Sequence, residues 1–501
     1  MNKIGISSLC FFRFHRLSGA FVIEGRQLTK KIFPGTLVFI LLLFSNSGTH
    51  AQNSGINQKN AGISPSAGDI QVYNYPRISP QNENFKVRAN GKEIFVYNTS
   101  AEPFAAFSGS GIVHIEVETL QTKSDISISP KKLGIVPKFE GNKISFDLPS
   151  GNNVALVIES KPILFIYADK EAENIPSSSG KGVYFFKAGQ VYEVGELRLK
   201  DNETLYIEGG AVVRGCVRAT SAKNVRIGGF GVLDGGYYSN GGTCRTIVFE
   251  DCRNSIIEDI TIIEPTSWMI VLGISSEITV RNVKELGSVG STDGCDVVGS
   301  KKIRIENCIF RNGDDCIAIK SLDLRSHGSA TLDFTGDVED IEITGCTFVS
   351  YIGGTALEIG HELRTASIRN IRFTNCDIIG VHGYGGIFGI HNADRATVSD
   401  VLYENIRVEH YYNKLIDLKV IKSMWGKDSV RGQIRNVVLR NIAVTQSIYN
   451  SGYSMSLIGG YDSTHTVENV LFDNFMLNGV KVTNPDQLEL YMKQAKDIKF
   501  K

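Results

Sequence analysis

The sequence predicts an all-β protein in which a small β-sandwich precedes a long coil of parallel strands. Short runs rich in Val, Ile and Phe recur along the chain, and few stretches show the 3.6-residue period of a helix. Within these runs a polar residue or glycine followed by an apolar residue recurs at intervals of a few tens of residues. The 51 glycines are consistent with many tight turns. These patterns indicate a structural unit that stacks on itself.

The repeat has a defined position in each run. Its pairs follow one another at spacings of 23, 25, 38, 30, 30, 36 and 33 residues, which is typical of solenoids. The pairs are Asp259-Ile260, Asn282-Val283, Asn307-Cys308, Gly345-Cys346, Asn375-Cys376, Asn405-Ile406, Asn441-Ile442 and Asn474-Phe475. We expect the Asn side chains to stack at one corner and apolar residues to fill the interior. Unequal spacing predicts loops of different length, and the longest, at 321–336, can wall a cleft.

Residues 1–51 have the order of an export signal, although the stretch before its basic residues is long for such signals. Lys30 and Lys31 come before an apolar run at 32–44, and small and polar residues lead to a cleavage position after Ala51. The apolar run is too short to span a bilayer well. We therefore expect an exported chain (periplasmic, cell-surface or secreted) with no transmembrane anchor once the signal is removed.

The remaining chain divides into segments of different pattern. Residues 52–67 are rich in Ser, Asn and Gly and predict a linker. Short alternating strands separated by turn signals predict a β-sandwich over 68–170. The coil is predicted over 182–485. Residues 486–501 are predicted to cap its last turn, with a short helix from Gln487.

Composition excludes several classes of partner. Lys plus Arg and Asp plus Glu both number 53, so the formal net charge is zero and nothing indicates nucleic acid or a broadly anionic membrane. No cysteines have the spacing of a zinc site, and we expect neither a metal nor a cofactor. Cys308, Cys346 and Cys376 share one repeat position, which favours small buried residues, although export would permit disulfides. A monomer is the usual expectation for a capped solenoid.

Two acidic groups predict the catalytic centre. Asp293 lies 21 residues before Asp314, which is followed by Asp315, and Cys295 lies 21 residues before Cys316. If that offset is one turn of the coil, the three carboxylates stack on neighbouring strands. Their pKa values should then separate, because three close carboxylates cannot all ionise with equal ease. A proton donor beside a proton acceptor is what glycoside hydrolysis needs. A turn cluster or a cation site is the alternative.

Four phrases together resemble glycoside hydrolase family 28, the polygalacturonases and their relatives: NGDDCIAIK at 312–320, STDGCD at 291–296, GFGVLDGG at 229–236 and EPTSW at 264–268. The resemblance covers roughly residue 182 to the C-terminus. It implies a right-handed parallel β-helix and an inverting hydrolase without a metal. It also implies that Asp314 is the general acid and that Asp293 and Asp315 activate the attacking water. Inversion needs about 6.5–9.5 Å between acid and base carboxylates, which strands about 4.8 Å apart can provide diagonally.

The chain departs from the family pattern at three positions. Ser291 replaces the Asn of an Asn-Thr-Asp phrase. Thr355 stands at the His of Gly-His-Gly, and Val420-Ile421-Lys422 replaces Arg-Ile-Lys, so that the Arg is lost. Polygalacturonases use that His and Arg around the sugar at the cleavage point. Their absence leaves the hydrolase class intact and argues against simple homogalacturonan.

A basic column is predicted beside the acids. When DDCIAIK, GTALEIG, GGIFGIH and VIK are aligned on their last isoleucines, Lys320, His391 and Lys422 fall in one outward column. Glu358 falls in the adjacent column, on the face of Asp314. The basic column suits a sugar carboxylate or sulfate, although charges that merely solvate a sheet face give the same pattern. Glu358 is predicted to contact sugar hydroxyls or to share in proton handling, with a salt bridge to a lysine as the alternative.

Two further residues are candidates for contact with a sugar. Trp425, one of two tryptophans, is predicted to stack on a ring, with ordinary packing as the alternative. His361 is predicted to line the cleft or to lie in a surface turn.

Three rival functions stay open beside the predicted one. A pectate-lyase-type enzyme would use clustered acids to hold calcium, and a non-catalytic coil would only bind carbohydrate. The sandwich-plus-coil layout also resembles the dextranase family, glycoside hydrolase family 49, whose substrate would be a neutral α-glucan. The spacing of the acids and the basic column favour the polygalacturonase-like family over the dextranase family. With the predicted signal and the inversion that the resemblance implies, we expect an exported inverting glycosidase that acts on a pectin-like or other acidic polysaccharide or oligosaccharide.

Overall fold

The computed structural model describes residues 68–119, 126–158, 162–238, 243–327, 330–447 and 454–501. The predicted export signal (1–51) and linker (52–67) lie outside these residues. The described part is all-β, with short 3₁₀ helices at Lys131–Leu133, Gly235–Tyr238, Arg325–His327 and Pro485–Leu488. None of its helices is long and apolar enough to cross a membrane.

The first eleven strands form a two-layered sandwich. They are β1 (Ile70–Val72), β2 (Phe85–Ala89), β3 (Lys92–Ile94), β4 (Val96–Tyr97), β5 (Phe104–Gly109), β6 (Ile112–Thr119), β7 (Ile126–Ser129), β8 (Lys138–Glu140), β9 (Lys143–Pro149), β10 (Asn152–Ile158) and β11 (Leu164–Lys170). One sheet has the order β3-β2-β6-β9-β8. The other has the order β1-β5-β11-β10-β7, with β4 beside β5. Val87, Ile115 and Leu164 belong to the core shared by the two sheets.

The strands from β12 onward form the predicted parallel β-helix. They are β12 (Val183–Phe186), β13 (Val191–Leu199), β14 (Thr204–Ile207), β15 (Val212–Thr220), β16 (Arg226–Gly228), β17 (Val232–Asp234), β18 (Ile247–Glu250), β19 (Arg253–Glu258), β20 (Thr261–Ile263), β21 (Ile270–Gly273), β22 (Ser276–Arg281), β23 (Lys284–Leu286), β24 (Cys295–Val298), β25 (Lys301–Glu306), β26 (Ile309–Asn312), β27 (Ile317–Ser321), β28 (Val338–Thr344), β29 (Thr347–Ser350), β30 (Leu357–Leu363), β31 (Ser367–Thr374), β32 (Asp377–Val381), β33 (Gly386–Asn392), β34 (Thr397–Val408), β35 (Lys414–Val420), β36 (Gln433–Val444), β37 (Ser456–Gly459), β38 (Val467–Leu477), β39 (Val480–Lys481), β40 (Leu490–Lys493) and β41 (Ala495–Phe500).

The coil has three faces, each a stack of parallel strands. The first face contains β16, β19, β22, β25, β28 and β31, and the second contains β17, β20, β23, β26, β29 and β32. The third contains β18, β21, β24, β27, β30, β33, β35 and β37. The long strands β34, β36 and β38 pass along the first and second faces without a break. The predicted fold class is confirmed.

The repeat lies at the corner between the first and second faces. Its asparagines have left-handed backbone angles, with φ of +56° at Asn375 and +55° at Asn405, a conformation that Asn tolerates well. Their side chains form a ladder in which Asn405 donates to Asn375, Asn441 to Asn405 and Asn474 to Asn441 at 3.3, 3.1 and 2.9 Å. The predicted stack of Asn side chains at one corner is therefore present.

The second face of the coil is covered by the sandwich, in a contact that we call the seam. Phe104, Phe165 and Tyr167 of the sandwich share an apolar cluster with coil residues that include Leu286 and Ile309. The sandwich therefore buries apolar side chains of the second face.

Two buried ion pairs cross the seam. Lys284 Nζ lies 2.5 Å from Asp169 Oδ1, and both side chains are almost wholly buried. Arg311 lies 3.1 Å from Glu102, which is also buried. Each buried cation of the seam therefore has a carboxylate partner.

The predicted C-terminal helix is wrong. After the 3₁₀ turn at Pro485–Leu488, β40 pairs with β37 and β41 pairs with β38, so the chain adds another turn of parallel strands. Apolar residues alternate along this segment, since Ile498 and Phe500, which are two residues apart, both pack against the coil interior. Phe500 stacks on Phe472 of the preceding turn with ring centroids 4.7 Å apart. A period of two favours a strand.

The repeat-position cysteines Cys308, Cys346 and Cys376 are buried and free. They lie in the coil interior with the aliphatic residues. No disulfide joins any cysteine of the described residues, in agreement with the role of small buried side chains.

Candidate active site

A cleft of about 570 Å³ opens on the third face of the coil. The predicted residues that line it are Asp293, Asp314, Asp315, Lys320, His361, His391 and Trp425. Glu358 is buried beneath the cleft and contacts His391. Leu322 and Leu324, from the long loop after β27, also line the cleft, so this loop forms part of the wall as expected.

The register of the acidic strands differs by one residue from the prediction. Cys295 pairs with Ile317, not with Cys316, so one turn of the coil here is 22 residues. Asp293 is consequently in register with Asp315, and Asp314 comes one residue before that position. Offsets of 21 and 22 both bring the acids together, and turn geometry decides between them.

One row of residues runs along the cleft at the position where third-face strands begin. Ile247 pairs with Ile270, Ile270 with Cys295, and Cys295 with Ile317. Followed two residues back, this register gives the order Arg245, Trp268, Asp293, Asp315 on successive turns, and all four line the cleft. The row places a cation and an aromatic ring on the N-terminal side of the acids.

Asp314 and Asp315 are tethered toward opposite neighbours. Asp314 Oδ2 accepts a 3.0 Å hydrogen bond from the N–H of Ser291 on the preceding turn. Asp315 Oδ1 accepts one of 2.6 Å from the N–H of Thr355 on the following turn. Adjacent carboxylates are thereby held apart, and Thr355, at the position of the family's His, acts here through its backbone.

The environment raises the pKa of both carboxyls. Burial, followed by the charge of Asp293, raises the pKa of Asp314. Burial, followed by the charges of Glu358 and Asp293, raises the pKa of Asp315 well above its usual range. A carboxyl with a raised pKa stays protonated at higher pH. Both groups meet this condition, so the pKa values alone do not distinguish the proton donor from the group that activates water.

Lys320 is the cationic partner of the first acidic strand. Its Nζ lies 2.8 Å from Asp293 Oδ2 and 2.9 Å from Asp296 Oδ1, and 3.9 Å from the centre of the Trp268 ring. Burial alone would lower the pKa of Lys320, but the two carboxylates outweigh it and raise that pKa well above its usual value. Lys320 is thus predicted correctly to lie beside the acids, where it is fully engaged with them.

Glu358, His391 and Asp417 form a buried chain of hydrogen bonds. His391 Nδ1 lies 2.7 Å from Glu358 Oε1, and Nε2 lies 3.1 Å from Asp417 Oδ2. Burial lowers the pKa of His391, but Glu358 and Asp417 outweigh this effect and raise it to about 9. An imidazolium that donates both N–H groups fits this geometry. Of the two alternatives, Glu358 therefore makes an ion pair, with a histidine as its partner.

The predicted basic column is wrong at its last member. Ile390 pairs with Leu418, so Lys419 follows His391 in register. Lys422 comes after the end of β35, is exposed, and does not line the cleft. Several apolar residues of this strand could serve as the alignment point, and the pattern alone selected Ile421.

His361 and Trp425 lie on the C-terminal side of the cleft. The ring of His361 stacks on His391 with centroids 4.6 Å apart, and burial lowers the pKa of His361 to about 4. Trp425 is 53% exposed. Its exposure does not support a role in core packing, and its stacking on a sugar stays a prediction.

Glu358, His361 and His391 form a group whose ligand atoms lie within 4.8 Å of one another. That spacing could hold a metal ion, but both ring nitrogens of His391 already contact carboxylates. Metal ligation requires a neutral imidazole with a free lone pair. The hydrogen bonds therefore favour an ion-pair chain over a metal site.

Three cleft residues were missed by sequence reasoning. Trp268 was noted only within the EPTSW phrase, and Arg245 and Asp417 were not considered. Asp417 interrupts the apolar strand Leu415–Leu418, and the same kind of signal had identified Glu358. No comparable signal marks Arg245, because it precedes its strand.

The comparisons with known proteins agree with this architecture. The described chain is a parallel β-helix that has a sandwich on one face and a carboxylate-lined cleft on another. Residues 199–484 match the family described as "Glycosyl hydrolases family 28", which is more than half of the chain. The chain belongs to this family, and the resemblance inferred from the aspartate phrases is confirmed.

Individual relatives are distant. "Putative galacturan 1,4-alpha-galacturonidase C" of Aspergillus niger is 23% identical over 289 residues, which are 51% of this chain and 59% of that protein. "Polygalacturonase" of Chamaecyparis obtusa is 30% identical over 91 residues, 18% of each chain. The chain thus spans less than two thirds of these relatives. The structure of "Dex49A from Penicillium minioluteum" covers 85% of this chain and 97% of its own, with a TM-score of 0.64 and 14% identity, which shows a shared fold.

Proposed function

We propose that the protein is an exported, inverting glycosidase that hydrolyses a pectin-like or other acidic polysaccharide. The observation that carries the proposal is the meeting of Asp293, Asp314 and Asp315 in one cleft, with different partners for each carboxyl. Asp293 has the ammonium of Lys320 at 2.8 Å, whereas burial and Asp293 raise the pKa of Asp314. Membership of a glycosyl hydrolase family supports the same chemistry.

Asp314 is assigned as the general acid. Its raised pKa keeps a proton available, and its side chain lines the cleft. In the reaction it protonates the glycosidic oxygen, so that the bond to the leaving sugar breaks as positive charge develops on the sugar ring.

Asp293 and Asp315 are assigned to the attacking water. They are in register on adjacent turns, where strands lie about 4.8 Å apart. Asp314 is held toward Ser291 on the turn of Asp293, and Asp315 is held toward Thr355 on the following turn, so the carboxyls of the acid and of Asp315 point apart. This separation is what single displacement with inversion requires.

The rest of the cleft supports an acidic substrate. Lys414 and Lys419 line its C-terminal part, where both contact Asp417, at 3.6 and 2.9 Å. Trp425 offers an exposed ring at the same end. A substrate carboxylate can share these lysines with Asp417. Two of the sequence relatives are named as a galacturonidase and a polygalacturonase, which fits an acidic sugar.

The test is product formation from homogalacturonan, rhamnogalacturonan, dextran and sulfated galactans. New reducing ends and the absorbance of unsaturated sugars would be followed together, with Asp314→Asn as the control. We expect reducing ends without absorbance from an acidic polymer, and their loss in the variant. The anomeric proton of the first product, followed by NMR, should show inverted configuration. Unsaturated products would instead identify a lyase and contradict the assignment of the acids.

Export is tested separately, by expression of the full chain and sequencing of the mature N-terminus from the exported fraction. A terminus at Gln52 would support the signal read from residues 1–51. Retention of the complete chain in the cytoplasm would contradict it.

A further inference from the structure

The N-terminal end of the cleft contains a buried cation without a partner. Three arginines of the described residues are buried, each with 6–7% of its surface exposed: Arg218, Arg245 and Arg311. Arg218 lies 3.8 Å from Glu196, and Arg311 lies 3.1 Å from Glu102. Among the described residues, the guanidinium of Arg245 has neither an ion pair nor a hydrogen bond, and its Nε is fully buried. A buried charge is costly unless it is paired, so an anion that paired with Arg245 would gain binding free energy.

The contacts of Arg245 leave its donors free for an anion. Its Cζ lies 4.6 Å from the centre of the Trp268 ring, an aromatic contact made by the face of a guanidinium. The five N–H donors lie in the guanidinium plane and are not used by such a contact. Arg245 and Trp268 both line the cleft, and because Nε is buried, the terminal nitrogens of Arg245 are the donors for a molecule bound there.

The second cation on the same ring differs from Arg245 in charge balance. Lys320 also contacts Trp268, but Asp293 and Asp296 lie within 3 Å of its ammonium. The positive charge of Lys320 is therefore neutralised by the protein itself. Asp296 and Asp293 also act on Arg245, but without an ion pair or a hydrogen bond, so the guanidinium can still pair with a ligand.

The position of Arg245 fits a sugar next to the cleavage point. In the row Arg245, Trp268, Asp293, Asp315, the arginine lies two turns before Asp293. Strand spacing makes this separation about 10 Å along the coil. A polysaccharide chain that lies along the row and presents one glycosidic bond to the acids therefore also passes Arg245.

We propose that Arg245, held by Trp268, is an anion subsite that binds the acidic group of a sugar on the N-terminal side of the three aspartates. This inference rests on the proposed function and deepens it, because it requires a negative charge on that sugar. A carboxylate matches the paired N–H groups of arginine in plane. A sulfate ester offers the same chemistry, and the experiment separates the two.

The test uses the two tryptophans of the chain, since both line the cleft. Full-length protein carrying Asp314→Asn, to prevent turnover, and Trp425→Phe, to leave Trp268 as the reporter, is titrated with oligosaccharides while tryptophan emission is recorded. The ligands are oligogalacturonate, its methyl ester, which has the same backbone without charge, and a sulfated galactan oligosaccharide. Arg245→Met and Arg245→Lys are then introduced, with Arg304→Met, an exposed first-face arginine, as the matched control.

We expect oligogalacturonate to change the emission of Trp268 and Arg245→Met to weaken its binding by about 10- to 100-fold. Binding of the methyl ester should be unchanged by Arg245→Met, Arg245→Lys should restore part of the affinity, and Arg304→Met should have no effect. Thermal unfolding of each variant checks that the coil is intact. A selective loss for the sulfated ligand alone would keep the anion subsite and assign it to a sulfate ester.

Two outcomes would overturn the inference while hydrolysis itself stands. One is equal loss for the acid and its ester, which would make Arg245 structural, and the other is no loss for either. If no polymer is cut by the wild-type protein and no oligosaccharide binds the Asp314→Asn protein, the proposed function fails and the subsite fails with it.

Discussion

The seam and the cleft are built from the same kinds of residue and use them differently. At the seam, Lys284 and Arg311 are buried against the sandwich and each has a carboxylate partner. In the cleft, Lys320 is paired in the same way, but Arg245 has no partner among the described residues, and burial raises the pKa of Asp314 and Asp315. Paired charges stabilise the contact between the sandwich and the coil. A ligand that pairs with an unpaired buried charge of the cleft gains binding free energy.

The largest effect should separate chemistry from stability. Asp314→Asn removes the proposed proton donor and should lower kcat by about 10²- to 10⁴-fold, with a free energy of unfolding within about 1 kcal/mol of the wild type. Steady-state kinetics and urea unfolding measure the two quantities. Asp147→Asn, at an exposed site of the sandwich, is the matched control and should retain full activity.

The dependence of wild-type activity on pH tests the assignment of Asp314 as the general acid. Because the pKa of Asp314 is raised, its acid form persists to higher pH, and activity should fall as the pH rises through that value. A rate that keeps rising with pH through this range would contradict the role of general acid.

A substitution at the seam should lower stability and leave activity unchanged. Asp169→Ala leaves the buried ammonium of Lys284 without its carboxylate and should lower the free energy of unfolding by about 3–5 kcal/mol. The activity per folded molecule should be unchanged at low temperature. Glu277→Ala, which breaks the exposed pair with Lys302, should cost less than about 1 kcal/mol. Equal effects of the two changes would mean that the seam pair does not stabilise the docking of the layers.

His391 tests whether a cleft residue also stabilises the fold. Its folded pKa of about 9 exceeds the unfolded value of about 6.5, so its contribution is complete below pH 6.5 and is lost as the pH rises through 9. Relative to His391→Gln, the wild type should lose roughly 1–3 kcal/mol of unfolding free energy between pH 6.5 and 9.5. Glu358, Asp417, His361 and Lys419 face or flank the ring.

Urea unfolding at a series of pH values measures this difference, and His114→Gln, at an exposed pair of the sandwich, serves as the control. Parallel pH curves for the wild type and His391→Gln would show that the imidazolium does not stabilise the chain.

The smallest effect concerns the register of the basic column. Lys419 lines the cleft and Lys422 is exposed outside it. Lys419→Ala should therefore raise KM for an acidic oligosaccharide by about 3- to 10-fold, the loss of one screened charge contact, and Lys422→Ala by less than about twofold. If Lys422→Ala raised KM more than Lys419→Ala, Lys422 would belong to the basic column, as the alignment on Ile421 predicted.

The sequence pattern was most informative where one residue type repeats under one constraint. Each Asn at the first corner must adopt the left-handed conformation and join a ladder, so its spacing predicted every turn from Asp259 to Asn474. The acidic strands have no such marker. Their 21-residue offset was one residue short of the true register, because a turn can absorb that difference.

The unpredicted features depend on contacts between distant turns. Arg245 and Trp268 carry no motif of their own, and only the stacking of β18, β21 and β24 brings them into line with the acids. The segment from Gln487 was predicted to be helical, but it forms strands because it pairs with the preceding turn of the coil. The docking of the sandwich on the second face could not be read from either domain alone.

The asparagine corner also determines where the chain tolerates insertions. Repeats differ in length by as many as 15 residues, from 23 to 38, yet every corner between the first and second faces keeps a polar residue or glycine followed by an apolar residue. The extra length enters at the two corners that border the third face, as in the segments after β27 and β35. A homologous or engineered chain can therefore change the loops that wall its cleft without altering the stacked strands beneath them.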